Sequence, residues 1–241
     1  GMVAFCHVSN SLGTINPAKR MAAAAKAKGL PVLIDGAQAA PHFAVDVQEL
    51  DCDFYVFSGH KVFGPTGIGV LYGKKERLES LPPYQGGGDM IERVSFSGTT
   101  FAPPPARFEA GTPHIAGAIG LAEAIRYVRR IGEGAMEAQE QALLKKVTAG
   151  LREISGVRLV GEAEHKVGVA SFVVEGVHPH DLATFLDRDG VAVRAGHHCT
   201  MPLLEFLGLT ATTRASFAFY NTLEEVDVFL ESLEKTIDLL R

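Results

Sequence analysis

The chain has 241 residues, 46% apolar and 21% charged, which is enough apolar material for a sizeable core and excludes a disordered chain. Its formal net charge of −5 argues against nucleic acid or an anionic membrane as the main partner, and no apolar run approaches the ~20 residues that span a bilayer. The three cysteines, Cys6, Cys52 and Cys199, fit reduced thiols in a cytoplasmic setting rather than a disulfide framework. Gly1 ahead of Met2 reads as a cloning remnant, and a strand entered at Met2 without lead-in reads as a piece of a longer protein.

In chain order, residues 2–9 form a short apolar strand and 10–14 a turn. Asn16 as N-cap and Pro17 at the first helical position open a helix over 18–28, stopped by Gly29. A strand over 31–34 ends in Asp35-Gly36-Ala37-Gln38, and a connection over 43–50 leads to a strand over 54–57. Ser58-Gly59-His60-Lys61 follows, then Gly64-Pro65-Thr66-Gly67 and a further apolar run over 68–72. Strand, helix, strand, connection, strand is the pattern of a parallel α/β sheet, whose ligands bind outside the carboxyl ends of the strands. Asp35 and the segment 58–61 both belong to that edge. Residues 81–88 form a loop and 101–105 an irregular stretch, followed by helices over 115–131 and 135–154. Strands over 157–160, 167–174 and 191–194 and helices over 180–188 and 222–240 complete the chain, with Thr222 and Glu225 forming a capping box. The composition divides the chain into a mainly parallel α/β domain over 1–134 and a smaller α+β domain over 135–241.

The chemistry concentrates in two places. Lys61 is delivered by a buried strand into a glycine-rich bend, where partial desolvation makes its amine available as a nucleophile; a surface lysine at a hairpin end is the plain alternative. Asp35 closes a strand expected to be mostly buried, where a carboxylate needs a cationic or hydrogen-bonding partner. A protonated pyridine nitrogen is such a partner, and pyridoxal phosphate works as an electron sink while an acid keeps that nitrogen protonated. Ser58 and His60 offer a hydroxyl and a ring N–H suited to phosphate oxygens, with Gly59 letting the backbone come close and Gly111-Thr112 adding donors of the same kind. Gly86-Gly87-Gly88 has neither the spacing nor the helix of a phosphate or dinucleotide loop.

The second place is Arg194-Ala195-Gly196-His197-His198-Cys199. A cysteine with two histidines and an arginine nearby favours the thiolate. Zinc is the rival, but one short segment does not readily turn three adjacent side chains onto one ion, and no CxxC or HExxH accompanies it, so no metal is expected. Arg214 is a candidate for a bidentate grip on a substrate carboxylate or, equally, a solvated surface arginine. Cys6 reads as core packing, and His7 and His42 carry no partner pattern.

Taken together, Asp35-Gly36-Ala37-Gln38, Ser58-Gly59-His60-Lys61 with Gly64-Pro65-Thr66-Gly67, and Arg194-Ala195-Gly196-His197-His198-Cys199 resemble the class-V aminotransferase superfamily. More narrowly they resemble the group II cysteine desulfurases and selenocysteine lyases, from Cys6-His7-Val8-Ser9-Asn10 to the C-terminus. The resemblance implies part of the large domain of a fold type I, aspartate aminotransferase-like pyridoxal 5'-phosphate enzyme, plus the small C-terminal domain. It implies that Lys61 carries the cofactor as a Schiff base and removes the substrate Cα proton. Asp35 pairs with the pyridinium nitrogen, Gln38 meets the ring hydroxyl, Ser58 and His60 hold the phosphate, and Thr112 reaches the phosphate of the partner subunit in a homodimer. Asn10 and Arg214 bind the substrate carboxylate with Arg194 nearby. Cys199 attacks the sulfur of L-cysteine, leaving L-alanine and a persulfide for a sulfur-acceptor protein, as in iron–sulfur cluster assembly; L-selenocysteine is the alternative substrate. Another class-V enzyme such as an aminotransferase, or a catalytically incomplete fragment, are the competing readings. Thr200 replaces the family's small apolar residue, and the family's amino-terminal part, with its first strands and ring-stacking histidine, lies outside the matched pattern.

Overall fold

The computed structural model describes residues 1–241, the side chain of Glu133 excepted. Contacts divide the chain into two units: Gly1–His7, Pro17–Pro41 and Val45–Arg130 form the first, and Val8–Asn16, His42–Ala44 and Ile131–Arg241 the second.

In the first unit β1 (Val3–Cys6) is followed by α1 (Ala18–Lys26), β2 (Val32–Asp35), α2 (Val47–Leu50), β3 (Phe54–Ser58) and β4 (Gly69–Gly73). The sheet order is β1-β2-β3-β4. β1, β2 and β3 are parallel, with Cys6, Asp35 and Val56 in register, and β4 returns antiparallel to β3. Helix α1 buries Ala18, Ala22 and Ala25, an i, i+4, i+7 stripe whose short side chains let it lie close on Val32, Ile34 and Tyr55. Pro17, not Asn16, stands at the N-cap, and no side chain caps this helix. The helix stops at Lys26, two residues short of the expected end, because Gly29 turns left-handed (φ +69) and its amide bonds the Lys26 carbonyl.

The stretch expected to be irregular over 101–105 is so beyond Phe101, but a hairpin for which no element was expected precedes it, β5 (Ile91–Ser95) with β6 (Gly98–Phe101). It follows α3 (Lys75–Glu79) and precedes α4 (Ile115–Ile131). Its residues are largely exposed, so the core-facing alternation that marks a strand in sequence is missing.

The second unit holds α5 (Glu133–Glu153), β7 (Val157–Val160), β8 (Val169–Val174), α6 (Pro179–Arg188), β9 (Arg194–Gly196), α7 (Met201–Phe206), β10 (Thr212–Ser216) and α8 (Leu223–Leu240). Its sheet, in order β7-β8-β10-β9, is antiparallel throughout. Leu143, Val147 and Leu151 of α5, Leu182 and Leu186 of α6, and Val226, Phe229 and Leu233 of α8 form one core with Phe172 and Ala215. Thr222 and Glu225 make the expected capping box. One strand sits later than expected: Val191 and Val193 pack against the core rather than pairing, so β9 begins at Arg194, and a further strand, β10, carries Arg214. The loop after β1 belongs here too: Ser171 donates from Oγ to the Ser11 carbonyl, and Thr14 bridges to Lys166.

Candidate active site

In the first unit, β2 and β3 deliver two loops to the same sheet edge. Asp35 is the last residue of β2 and Ser58 the last of β3; a short 3-10 turn (Gly59–Val62) then carries His60 and Lys61 into the β3–β4 connection. Lys61 is half-buried and His60 exposed. Val62 is buried and Leu121 of α4 packs beside Gly59 and Gly64, so α4 supports the turn from below. Gly59 differs from expectation. It is buried, its amide bonds the Ile68 carbonyl at 2.8 Å, and a Cβ there would stand 2.9 Å from that same oxygen. The glycine is required by the tight β3–β4 closure rather than by a ligand.

Asp35 is exposed rather than buried, because the strand end opens at the sheet edge. Its Oδ1 accepts the Ala37 amide at 2.9 Å, which fixes the carboxylate over the following turn. The turn is shaped from beneath by Tyr55: a Cβ on Gly36 would lie 2.0–2.2 Å from the Tyr55 ring and hydroxyl. Tyr55 Oη is 3.0 Å from His7 Nδ1, and the two rings meet edge to face. Burial pushes the Tyr55 phenol up and the His7 imidazole down, so both stay neutral. Neither residue carried a signal in sequence, since the pair spans 48 positions. Gln38 is half-buried in the same loop and Thr112 is exposed ahead of α4. Gly111, at φ +82, already spends its amide on the Gly88 carbonyl, so of the expected pair it is Thr112 that offers donors. Cys6, expected in the core, is exposed at the end of β1.

In the second unit, β9, the 198–200 turn, β10 and the 8–16 loop meet. Arg214 NH1 donates to the Asn10 carbonyl at 2.7 Å, and Asn10 Nδ2 donates to the His198 carbonyl at 2.6 Å. Arg214 is half-buried, with its Nε buried and without a protein acceptor. Burial, then Arg194, draws its pKa down, although a guanidinium remains charged. His198 and Cys199 are both left-handed, at φ +52 and +61. His198 is buried, and burial, then Arg214, pushes its pKa down to about 4. Cys199 is exposed, with its Sγ 3.8 Å from Arg194 NH2, and its amide donates to His197 Nδ1 at 3.2 Å. The His197 ring is thus engaged with the backbone and the His198 ring with β10, so the three neighbours point at different partners. Among the described residues no three His, Cys, Asp or Glu side chains gather as for a metal ion.

A lysine and an acid at the carboxyl edge of a mainly parallel sheet, followed in the chain by a small antiparallel α+β unit, define the class of fold type I pyridoxal-phosphate enzymes. Residues 1–229 match the family model described as Aminotransferase class-V, and the chain belongs to that family, whose members use pyridoxal phosphate. A probable cysteine desulfurase of Xylella fastidiosa (strain 9a5c) is 52% identical over 239 residues, covering 99% of this chain and 58% of that protein. The cysteine desulfurase of Synechococcus elongatus is 54% identical over 234 residues, 97% of this chain and 37% of that protein. Among solved structures, the cysteine desulfurase CsdA of Escherichia coli aligns with a TM-score of 0.96 at 42% identity, over 100% of this chain and 60% of that one. The apo cysteine desulfurase of Thermococcus onnurineus NA1 gives 0.95 at 48% identity, over 99% and 60%. The chain therefore spans less than two thirds of the length of these relatives.

Proposed function

We propose that the chain is part of a pyridoxal-phosphate-dependent cysteine desulfurase that converts L-cysteine to L-alanine and leaves the sulfur on Cys199. The observation that carries the reading is Cys199 itself: an exposed thiol held at a left-handed turn with a guanidinium 3.8 Å from its sulfur. An aminotransferase has no use for such a group.

The first unit supplies the cofactor residues, and the second, which includes Asn10 of the 8–16 loop, supplies the sulfur chemistry and the substrate-carboxylate residues. The donor set at the first sheet edge fits pyridoxal phosphate. Asp35 is an exposed carboxylate braced through one oxygen, suited to accept a pyridine N–H. Ser58 and His60 supply side-chain donors for the phosphate while the Gly59 amide is occupied. Gln38 meets the ring hydroxyl, Thr112 the phosphate bound to a second copy in a homodimer, and Lys61 is the amine that holds the cofactor's carbonyl carbon. When bound, the cofactor supplies an electron sink for charge developing at the substrate Cα. Lys61 takes the Cα proton and returns one later.

Arg214 and Asn10 orient the substrate carboxylate, with Arg194 adding charge. Cys199 thiolate attacks the substrate Sγ: the S–S bond forms, the Cβ–Sγ bond breaks, and its electron pair stays with the alanyl fragment, which takes up a proton. A sulfur-acceptor protein of the kind used in iron–sulfur cluster assembly then collects the persulfide in the cytoplasm. L-Selenocysteine fits the same residues, and its weaker carbon–selenium bond leans less on Cys199.

The test is spectroscopic, then chemical. Adding pyridoxal phosphate is expected to give a visible absorbance band that Lys61→Ala abolishes, and L-cysteine is expected to yield alanine in a reaction that Cys199→Ala lowers by at least about a hundredfold. A band that survives Lys61→Ala removes the lysine assignment, and undiminished alanine release from Cys199→Ala removes the desulfurase reading in favour of another class-V activity.

A further inference from the structure

His198 is part of no role assigned so far, yet it is the most constrained residue of its segment. Two adjacent non-glycine residues in the left-handed region, His198 and Cys199, are each disfavoured by roughly 1–2 kcal/mol, so the surrounding structure must hold them there. The His198 ring does so from below. It is 1% exposed, and Nε2 lies 2.8 Å from Thr212 Oγ1 and 3.2 Å from the Thr212 carbonyl. Only an N–H at Nε2 can serve that carbonyl, so Nε2 is the protonated nitrogen and Nδ1 the bare, buried acceptor without a partner. The backbone at the same residue is fastened separately, since the His198 carbonyl accepts Asn10 Nδ2 and Arg214 in turn bonds Asn10. Ring and carbonyl together fix the peptide that immediately precedes Cys199.

We propose that His198 is a positioning residue for the nucleophile: pinned to Thr212 on β10, it enforces the left-handed pair that presents Cys199 beside Arg194. The inference rests on the reading of Cys199 as the sulfur-accepting thiol, but its geometric part stands apart from the reaction. A neutral, buried ring suits the task, because it anchors the turn without adding a third positive charge beside Arg194 and Arg214.

The experiment compares His198→Ala, His198→Gln and Thr212→Val in the same chain loaded with pyridoxal phosphate, with circular dichroism confirming that each is folded. Two readouts are taken: kcat and KM for alanine release from L-cysteine, and the iodoacetamide alkylation rate of Cys199 followed on its peptide by mass spectrometry. For His198→Ala we expect kcat to fall on the order of 10–100-fold, the scale set by a displaced reacting group, with KM and the cofactor band unchanged and Cys199 alkylation slowed severalfold. His198→Gln, whose amide can reach Thr212, is expected to recover most of both losses, a rescue that a loss of packing alone does not give. Thr212→Val, nearly isosteric, is expected to act in the same direction more weakly, and it carries the test should His198→Ala not fold. Folded His198→Ala with the unaltered chain's kcat and alkylation rate would overturn the proposal, as would a Gln variant no better than Ala. If the unaltered chain releases no alanine, the desulfurase reading fails, and the alkylation rates still decide the role of His198.

Discussion

Asp35 and Asp53 are acids at opposite ends of neighbouring strands, and their surroundings give them opposite tasks. Asp53, ahead of β3, is 1% exposed and has both oxygens taken: Oδ2 accepts the Val32 amide and Oδ1 accepts Arg77 Nε, each at 2.8 Å. Burial raises its pKa, but the Arg77 and Val32 hydrogen bonds outweigh this and hold it below the usual carboxylate range. Asp35 keeps one oxygen for a ligand. Its motif made it visible in sequence, whereas Asp53 was invisible because its partners lie 21 and 24 positions away. Asp53→Asn is therefore expected to cost about 2 kcal/mol of stability at neutral pH, measured by urea unfolding. A depressed folded pKa contributes stability that is present above the unfolded value of about 3.9 and is lost as pH falls through the folded one. The difference between the unaltered chain and the Asn variant is thus expected to shrink in acid below that point. A constant difference across pH would mean that the carboxylate charge is not what matters.

At the scale of elements, the sequence signals that worked were local ones. Asp35, Ser58 and Lys61 could be placed at one edge because apolar runs ending in Gly, Ser and Asp mark strand ends, and α8 was bounded by its capping box. The β5–β6 hairpin was not legible, since exposed residues on both faces leave no alternation to detect. Nor was the start of β9 legible, which depends on register with β10. The Asp35–Gln38 turn shows how a local motif can hide a distant requirement. Gly36 has an ordinary φ, yet the Tyr55 ring occupies the place of its Cβ. That ring is buried and bonded to His7, so it cannot step aside. Gly36→Ala is expected to cost on the order of 2 kcal/mol through overpacking and to weaken the pyridoxal-phosphate absorbance band by moving Asp35. Normal thermal midpoint and normal cofactor titration in this variant would show that the turn is not set by Tyr55.

At the scale of the molecule, each unit closes its own core, and the chain enters the second unit twice before residue 131, through 8–16 and 42–44. Those excursions explain why a single cut near residue 134 was the natural reading of composition: short loop segments carry no compositional mark. His42 is held in the second unit by a 2.6 Å bond from Nδ1 to the buried Glu140. Two opposed acid effects then act on the whole chain. With a net charge of −5 and a pI of about 6.0, lowering pH from neutrality reduces self-repulsion and favours the compact state weakly. His198 acts the other way. Above about pH 6.5 it is neutral in both states and contributes nothing to the pH dependence. Between about 6.5 and its folded pKa of about 4 the unfolded chain binds a proton that the fold refuses, so stability falls as pH falls, and below about 4 the effect levels off. His7, also lowered by burial, adds in the same direction. A desolvated histidine is a local, unscreened effect, whereas five net charges spread over 241 residues are screened within ~8–10 Å in ordinary buffers. The histidines are therefore expected to win: the urea midpoint should decline steadily from pH 7 towards 4.5, and His198→Gln, which has no such proton to refuse, should flatten much of that decline. A midpoint that rises on acidification, or one whose slope is the same in His198→Gln, would place the acid sensitivity elsewhere than in this buried ring.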